Sequence, residues 1–316
     1  MKNTAMNDTG IKQSVKYFQY AVYPPTLALG LIFNILALWI ACCKIRKWTE
    51  SRIYILTLIT LDTLLLFTLP FKIKAFHDWK TTLLFCKVLE SMYFVNMYGS
   101  ILISTCICLD RFICINHPFL AQSLRSPKKA ALVCLAVCVI VSGGNFFTLH
   151  LHGNSTGSVR CFQNFSSNTW ESKFLLITPE VLFFGCLSIM VICTIRIVIS
   201  LWRSSNLSRQ VGNNRSVMIV GSNLLTYVIC YMPYHVTYLL YFLKKNKLLE
   251  DPLTILRPAL QISQIWANLH CCFNAICYYF VFKEALRIEN TETCDTQNSK
   301  ITRLSTEKSR LSMEKS

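Results

Sequence analysis

The sequence predicts an all-α membrane protein whose core is a bundle of seven transmembrane helices. Of its 316 residues, 53% are apolar and only 15% are charged, and the mean hydropathy is +0.41. The apolar fraction is higher and the charged fraction lower than in an ordinary soluble domain. The apolar residues are concentrated in seven runs, each near or above the ~18–20 residues that a helix needs to cross the hydrocarbon layer. In lipid, backbone hydrogen bonds must be satisfied within the segment, which leaves helices as the only form that suits such runs.

These runs define seven candidate spans, numbered in chain order. Five contain no Asp, Glu, Lys or Arg, namely Tyr17–Cys43 (span 1), Ser91–Leu109 (span 3), Ala130–Leu149 (span 4), Ser216–Leu243 (span 6) and Pro258–Phe282 (span 7). Two contain one acid each, namely Ile53–Phe71 (span 2) with Asp62 and Phe174–Ile195 (span 5) with Glu180. We therefore divide the chain into an extracellular N-terminus (1–16), the seven-helix domain (17–282) and a cytosolic tail (283–316). The tail is rich in Ser, Thr, Lys and Glu, and beyond a short helix we expect it to be disordered.

The orientation of the bundle is predicted by sequons and cysteines. Lys and Arg are about equally common in the loops of both sides, so the positive-inside rule does not decide. Three glycosylation sequons begin at Asn7, Asn154 and Asn164 and fall on one side, although two others fall on the opposite side. Cys86 and Cys161 belong to the side with the three sequons, where an oxidising exterior would permit them to pair. We therefore expect a multi-pass protein of the plasma membrane with its N-terminus outside.

Polar residues inside the spans mark candidate functional sites. Asp62 lies near the middle of span 2, and Asn34, Ser100 and Asn274 lie at comparable depth in spans 1, 3 and 7. Their oxygens suit a hard cation, so they could form a small cavity that holds water or a sodium ion. An interhelical hydrogen-bond network without an ion is equally consistent with these residues. We expect no other metal and no other cofactor.

Short motifs follow one another along the spans. Asn34 ends GLIFN, Asp62 ends LITLD, Arg111 follows Cys86 by 25 residues, CYMP covers Cys230–Pro233 and NAICY covers Asn274–Tyr278. In this order they make residues 17–290 resemble a rhodopsin-like (class A) G-protein-coupled receptor. Segments such as CCKIRKWTESRIY and YFVNMYGS narrow the resemblance to the small branch that contains the lysophosphatidylinositol and kynurenic-acid receptors.

The resemblance implies a conformational switch at the cytosolic rim. Asp110 and Arg111 correspond to the pair that holds the receptor inactive until the arginine turns toward span 7 and a heterotrimeric G protein. Phe119 resembles the apolar residue that the second inner loop inserts into the G protein, and Asn274 and Tyr278 belong to the motif of span 7. A solvated ion pair at a helix end is the structural alternative for Asp110 and Arg111. Cys86 and Cys161 match the disulfide of the family, and phosphorylated tails in the family recruit arrestin.

The chain departs from the family pattern at several positions. Phe112 replaces the tyrosine after Arg111, Tyr231 replaces the tryptophan of span 6, and Ala275 replaces the proline of span 7. An acid that would pair with Arg111 from span 6 is also missing. These differences leave the basal activity and the helix kinks open.

The ligand predicted from these residues is anionic. The outer segments carry thirteen Lys and Arg against seven Asp and Glu, and a positive potential favours an anion. Lys72 and Glu90 match pocket residues of the lysophosphatidylinositol receptor. Met97 stands where the kynurenic-acid receptor has an arginine, which favours a lysophospholipid over a small aromatic carboxylate. The apolar body of the lipid would contact Tyr93, Met97, Tyr231 and Tyr234. Two alternatives for Lys72 are a side chain that snorkels to the headgroups and a purely structural pair with Glu90.

Other classes of protein fit less well. The sequence has no metal-ligand spacing, nucleophile elbow or phosphate loop, and His235 and His270 look isolated, so we predict no catalytic residues and no enzyme. A transporter is the remaining alternative, but seven unpaired spans do not suggest inverted repeats. Nucleic acid is not expected as a partner.

Overall fold

The computed structural model describes residues 2–45, 47–75, 79–151, 158–159, 161, 173–203, 207–246, 253–283 and 285–287. Seven helices in it are long and apolar enough to cross a membrane, which confirms the predicted bundle. Their bounds are Lys2–Trp39 continued by a π-helical turn Ile40–Lys44 (span 1), Glu50–Ala75 (span 2), Leu83–Asn116 (span 3), Pro127–Leu151 (span 4), Lys173–Trp202 (span 5), Leu207–Lys245 (span 6), and Leu253–Ala267 followed by 270–283 (span 7).

Most spans are longer than their apolar runs. The helix of span 1 begins at Lys2 and therefore includes most of the polar segment 1–16. Helical hydrogen bonds need no apolar side chains, and a membrane helix can therefore continue into water beyond its apolar run. The predicted short helix and tail after span 7 lie almost entirely outside the described residues.

The ends of span 3 are fixed by local chemistry. At its start, Thr82 is the N-cap, and its side-chain oxygen accepts a hydrogen bond from the amide of Phe85 at 3.4 Å. At its end, His117 leaves the helical conformation, and Pro118 opens a short helix, Pro118–Leu124. Proline suits the first turn of a helix because its missing N–H is not needed there. Span 3 thus ends one turn after Asp110 and Arg111.

Span 7 is interrupted where the sequence predicted one continuous helix. Residues 268–269 form a turn, in which the amides of Asn268 and Leu269 bond carbonyls three residues back, at 3.3 Å and 3.0 Å. The helix resumes at His270, whose Nδ1 lies 2.8 Å from the carbonyl oxygen of Ala267. The break falls before Ala275, the position of the expected proline, so proline does not cause it. It sets the direction of the His270 side chain.

Span 3 lies at the centre of the bundle and contacts spans 2, 4, 5 and 6. Buried side chains form two clusters. The first extends along most of the length of spans 3, 5 and 6, and the second lies toward one end of the bundle. The first includes Leu69, Tyr93, Met97, Phe183 and Tyr231, and the second includes Ala41, Ile55, Ile107, Cys134 and Tyr278. We call the two ends of the bundle the disulfide end and the Arg111 end. Apolar side chains such as Leu132, Leu135 and Ile140 point outward, as expected of a surface that lipid covers.

Candidate functional site

A disulfide between Cys86 and Cys161 defines the first end of the bundle. Their Cα atoms are 5.3 Å apart, within the range for a disulfide. Next to it, strands Thr81–Thr82 and Ser158–Val159 pair antiparallel. Together they tie the loop after span 4 to the start of span 3, as predicted. Asn154 and Asn164 lie outside the described residues, as does the side chain of Asn7.

Lys72 points into the bundle. Its side chain is only 4% exposed, and its Nζ lies 3.2 Å from the centroid of the Tyr93 ring on span 3. An ammonium over an aromatic face is attracted by the ring electrons, most strongly where water is excluded. A snorkelling lysine would instead be exposed among headgroups, so that interpretation is wrong.

Glu90 is the acid that acts electrostatically on Lys72. It is half-buried, and its Oε1 lies 3.6 Å from the Sγ of Cys86. Glu90 is thus anchored beside the disulfide, one turn before Tyr93. This arrangement is compatible with a purely structural pair of Lys72 and Glu90, one of the alternatives from the sequence. It is also compatible with both charged side chains contacting a ligand.

The four aromatic and apolar candidates lie together. Tyr93 and Met97 on span 3 and Tyr231 and Tyr234 on span 6 are all buried in one cluster. Within the described part of the chain, the Tyr231 hydroxyl has no hydrogen-bond partner. The structure therefore brings the four side chains together in a cluster that combines apolar ring faces with polar groups, and their contact with a ligand stays a prediction.

A buried acid–histidine pair joins spans 5 and 6, and the sequence did not predict it. The Nδ1 of His235 lies 2.8 Å from the Oε1 of Glu180, and the His235 ring stacks on Phe183 with centroids 3.8 Å apart. Tyr234 contacts the edge of the same imidazole. Among the described residues, the second oxygen of Glu180 and the Nε2 of His235 are buried without a hydrogen-bond partner. The available signal was the lone acid of span 5 together with a histidine two residues after Pro233.

A second polar cluster surrounds Asp62, which is fully buried. Its carboxylate accepts hydrogen bonds from the Nδ2 of Asn274 at 3.1 Å and from the hydroxyl of Tyr278 at 3.0 Å. The Nε2 of His270 lies 3.3 Å from the other oxygen. His270 is therefore not isolated, contrary to the expectation from sequence.

The other two members of the predicted cavity contact different groups. The side-chain amide of Asn34 donates to the carbonyl oxygen of Gly30 at 2.8 Å and to that of Cys271 at 3.4 Å. The Oδ1 of Asn34 and the hydroxyl of Ser100 are buried without a partner among the described residues. These oxygens suit sodium, but the imidazole of His270, whose Nε2 lies 3.3 Å from Asp62, occupies space beside the same carboxylate. The residues therefore fit sodium only in part.

At the opposite end, Asp110 and Arg111 are both buried. The Nε of Arg111 lies 3.8 Å from the Oδ2 of Asp110, and its Nη2 contacts the hydroxyl of Ser51 on span 2. Their burial excludes the solvated ion pair considered from the sequence. It also places Arg111 between spans 2 and 3.

The stronger partner of Asp110 is Arg125, a residue that the sequence did not single out. Arg125 follows the short helix Pro118–Leu124, and its Nε donates to the Oδ1 of Asp110 at 2.8 Å. Its Nη2 also reaches the Oδ2 of Asp110 and the Oε2 of Glu50, each at 3.3 Å. Burial lowers the pKa of Arg125, but the two carboxylates raise it, and the net direction is upward. Asp110 and Arg111, which the sequence predicts to be a switch pair, thus belong to a larger network in which Arg125 is the main partner of Asp110.

Phe119 is displayed at the same end. It is 87% exposed on the short helix that begins at Pro118. A large apolar side chain in water is unfavourable, so this exposure suits contact with a protein partner.

The fold and these sites define a seven-helix membrane protein with a buried cluster of polar and aromatic side chains at one end and a charged network at the other. The sequence profile described as "7 transmembrane receptor (rhodopsin family)" matches residues 33–300. Human G-protein coupled receptor 35 is 34% identical over 276 residues, which cover 86% of each chain. Mouse lysophosphatidic acid receptor 6 is 34% identical over 281 residues, covering 84% of this chain and 81% of its own. Human G-protein coupled receptor 55 is 31% identical over 282 residues, covering 87% and 88%.

The chain therefore belongs to the rhodopsin family of seven-transmembrane receptors, and it is a G-protein-coupled receptor rather than an enzyme. Its relatives place it in a branch that contains lysophosphatidic acid receptors and G-protein coupled receptors 35 and 55. The class predicted from the sequence is confirmed.

Proposed function

We propose that this receptor binds an anionic lysophospholipid at its disulfide end and activates a heterotrimeric G protein at its Arg111 end. The observation that carries the ligand proposal is the buried Lys72, whose ammonium lies against Tyr93. An anionic headgroup placed beside this ammonium would form a charge-assisted bond. The neighbouring Met97, Tyr231 and Tyr234 offer apolar faces for an acyl chain. The name of one relative, lysophosphatidic acid receptor 6, is consistent with this class of ligand.

Guanine-nucleotide exchange in membranes from cells that express the receptor tests the proposal. Lysophosphatidic acid and lysophosphatidylinositol should stimulate exchange, whereas zwitterionic lysophosphatidylcholine should not. Kynurenic acid serves as the probe for the alternative, a small aromatic carboxylate. Activation by kynurenic acid and by none of the lipids would favour the aromatic carboxylate as ligand. Activation by an uncharged lipid would contradict the proposed binding of an anionic headgroup by Lys72. Accumulation of labelled substrate without exchange would instead support a transporter.

The proposal includes an orientation in the plasma membrane, with the disulfide end outside. A disulfide persists in an oxidising compartment, and the disulfide between Cys86 and Cys161 lies at this end. At the Arg111 end, Cys42 and Cys43 are exposed and free, which suits the reducing cytosol. A glycosidase-sensitive mass shift that is lost when Asn7, Asn154 and Asn164 are changed to Gln would support this orientation. A shift that persists would contradict it.

Sodium and arrestin are proposed as further partners. We propose that Asp62 transmits the effect of sodium, and that His270 weakens this effect by competing for the same carboxylate. For arrestin, phosphorylation would add charge to hydroxyl groups of the tail, which lies outside the described residues: Thr291, Thr293, Thr296, Ser299, Thr302, Ser305, Thr306, Ser309 and Ser312. Mass spectrometry of agonist-treated receptor should find phosphate on this segment, and its absence would remove the arrestin proposal.

A further inference from the structure

Two adjacent cysteines lie at the surface where span 1 leaves the bundle at the Arg111 end. Cys42 and Cys43 belong to the π-helical turn Ile40–Lys44, which is closed by the amide of Ile45 donating to the carbonyl of Ile40 at 3.2 Å. Within this turn, Ala41 is fully buried, and Ile45 just after it is also buried. Both thiols are exposed. The wide turn thus presents two consecutive thiols on the outside of the bundle.

The surface beside these thiols is apolar along the helix and basic beyond it. Ile35 and Leu36, two turns before Cys42 and Cys43 and on the same face, are 62% and 51% exposed. Lys44 comes directly after the thiols, and its Nζ lies 5.1 Å from the Trp39 ring. Apolar side chains that give way to tryptophan and lysine are typical of the boundary between hydrocarbon and headgroups.

The opposite side of the turn carries a second aromatic and basic contact. Trp48 is 61% exposed, and the guanidinium carbon of Arg52 lies 4.1 Å from its ring centroid. Lys47 adds a further charge in this stretch. Basic and aromatic groups therefore flank Cys42 and Cys43 on both sides along the chain. This pattern is typical of the membrane–water interface, where anionic headgroups attract lysine and arginine.

We propose that Cys42 and Cys43 are a site of S-acylation by a long-chain fatty acid, and that the acyl chain lies along the exposed face of span 1 over Ile35 and Leu36. This proposal rests on the proposed orientation, because the acyl donor is cytosolic. The thiol sulfur attacks the carbonyl carbon of a fatty acyl thioester of coenzyme A on an acyltransferase. A new carbon–sulfur bond forms, the bond to coenzyme A breaks, and the thiol proton passes to the released coenzyme A thiol. Juxtamembrane cysteines are known substrates of this chemistry.

Acyl exchange on the full-length receptor tests the site. The receptor is expressed with Cys294→Ser, which removes the cysteine of the tail segment 283–316 so that it cannot contribute to the signal. Free thiols are blocked, hydroxylamine cleaves thioesters, and each released thiol is tagged with a polyethylene glycol maleimide of known mass. One or two hydroxylamine-dependent mass steps should appear, and they should disappear in the Cys42→Ser/Cys43→Ser variant. Cys114→Ser is the matched control, because this half-buried thiol lies at the same end and its sulfur accepts a hydrogen bond from Arg125. This control variant should show the same mass steps as the receptor with Cys114.

Two results would overturn the proposal. One is the absence of any hydroxylamine-dependent step, and the other is the persistence of the same steps in the double variant. A membrane-impermeant maleimide separates these results from an error in orientation. After hydroxylamine treatment, Cys42 and Cys43 should react with it only once the cells are permeabilised. Reaction on intact cells would contradict the orientation, whereas unmodified thiols that react only from inside would contradict acylation alone.

Discussion

The two polar ends of this receptor are built differently. At the disulfide end, buried charged groups meet aromatic or histidine side chains of a neighbouring span, Lys72 against Tyr93 and Glu180 against His235. At the Arg111 end, the charges form a network, in which Arg125 bonds both Asp110 and Glu50 while Arg111 contacts Ser51. Arg125 is partly exposed there, with 25% of its side chain accessible.

This difference corresponds to two kinds of task. Buried polar atoms that lack hydrogen-bond partners are costly. Among the described residues both ends hold such atoms, Asn116 Nδ2 at the Arg111 end and Glu180 Oε2 and Tyr231 Oη at the disulfide end, but those at the disulfide end lie within the aromatic cluster of the proposed ligand site. A ligand that supplies hydrogen bonds there gains affinity from satisfying them. A partly hydrated network can exchange partners at lower cost, because water replaces a lost bond. The first arrangement suits binding, and the second suits switching.

The largest expected effect is that of Arg111→Ala at the switching end. Agonist-stimulated nucleotide exchange should fall to the level without agonist, because the proposed switch loses its arginine. Ligand affinity should change much less, since Arg111 lies at the far end of the bundle. Arg203→Ala, an exposed arginine at the end of span 5, is the control and should retain exchange. Undiminished exchange in the Arg111 variant would contradict the switch.

At the binding end, Lys72→Met should weaken the potency of an anionic lysophospholipid ~10–100-fold. A charge-assisted bond in a dry site contributes ~1.5–3 kcal/mol, which corresponds to that range. Lys74→Met is the matched control, because Lys74 lies two residues further along the same helix and is exposed. The measurement is a dose–response curve at matched surface expression. If potency holds while expression falls, Lys72 serves only to pair with Glu90 and join spans 2 and 3.

A smaller effect is expected for Arg125→Gln. Loss of this guanidinium releases Asp110, which then pairs more strongly with Arg111 across the present 3.8 Å. Stimulated exchange should drop by roughly fivefold, equivalent to ~1 kcal/mol for a partly exposed ion pair. Lys128→Gln, an exposed change in the same region, should have no effect. An increase in exchange without agonist would show instead that Arg125 restrains the active state.

The smallest effect is expected for His270→Asn, between the two ends. Removing the imidazole leaves the Asp62 carboxylate to Asn274 and Tyr278, so a sodium ion meets less competition. The shift in agonist affinity caused by sodium should grow about twofold to fivefold, near the lower end of typical coupling between sites. Radioligand competition with sodium chloride or with N-methylglucamine chloride measures it. Equal sodium effects in both proteins would mean that His270 does not compete.

Much of this protein follows from its sequence. The apolar runs determine the number and order of the spans, because a helix in lipid must satisfy its own backbone and needs a minimum length. The motifs around Asp62 and Arg111 identify the receptor class, and the charge balance together with Lys72 directs attention to an anionic ligand. Each of these features depends on composition or on spacing along one helix.

The partners of the charged groups were decided by the tertiary structure. Arg125 meets Glu50 from 75 residues away, and His235 meets Glu180 across 55 residues. The break at residues 268–269 brings His270 to Asp62. Such contacts depend on the rotation of each helix about its own axis and on its axial shift relative to the neighbouring helices. Packing between spans sets these quantities, because the sequence of one helix determines which residues share a face but not what that face meets.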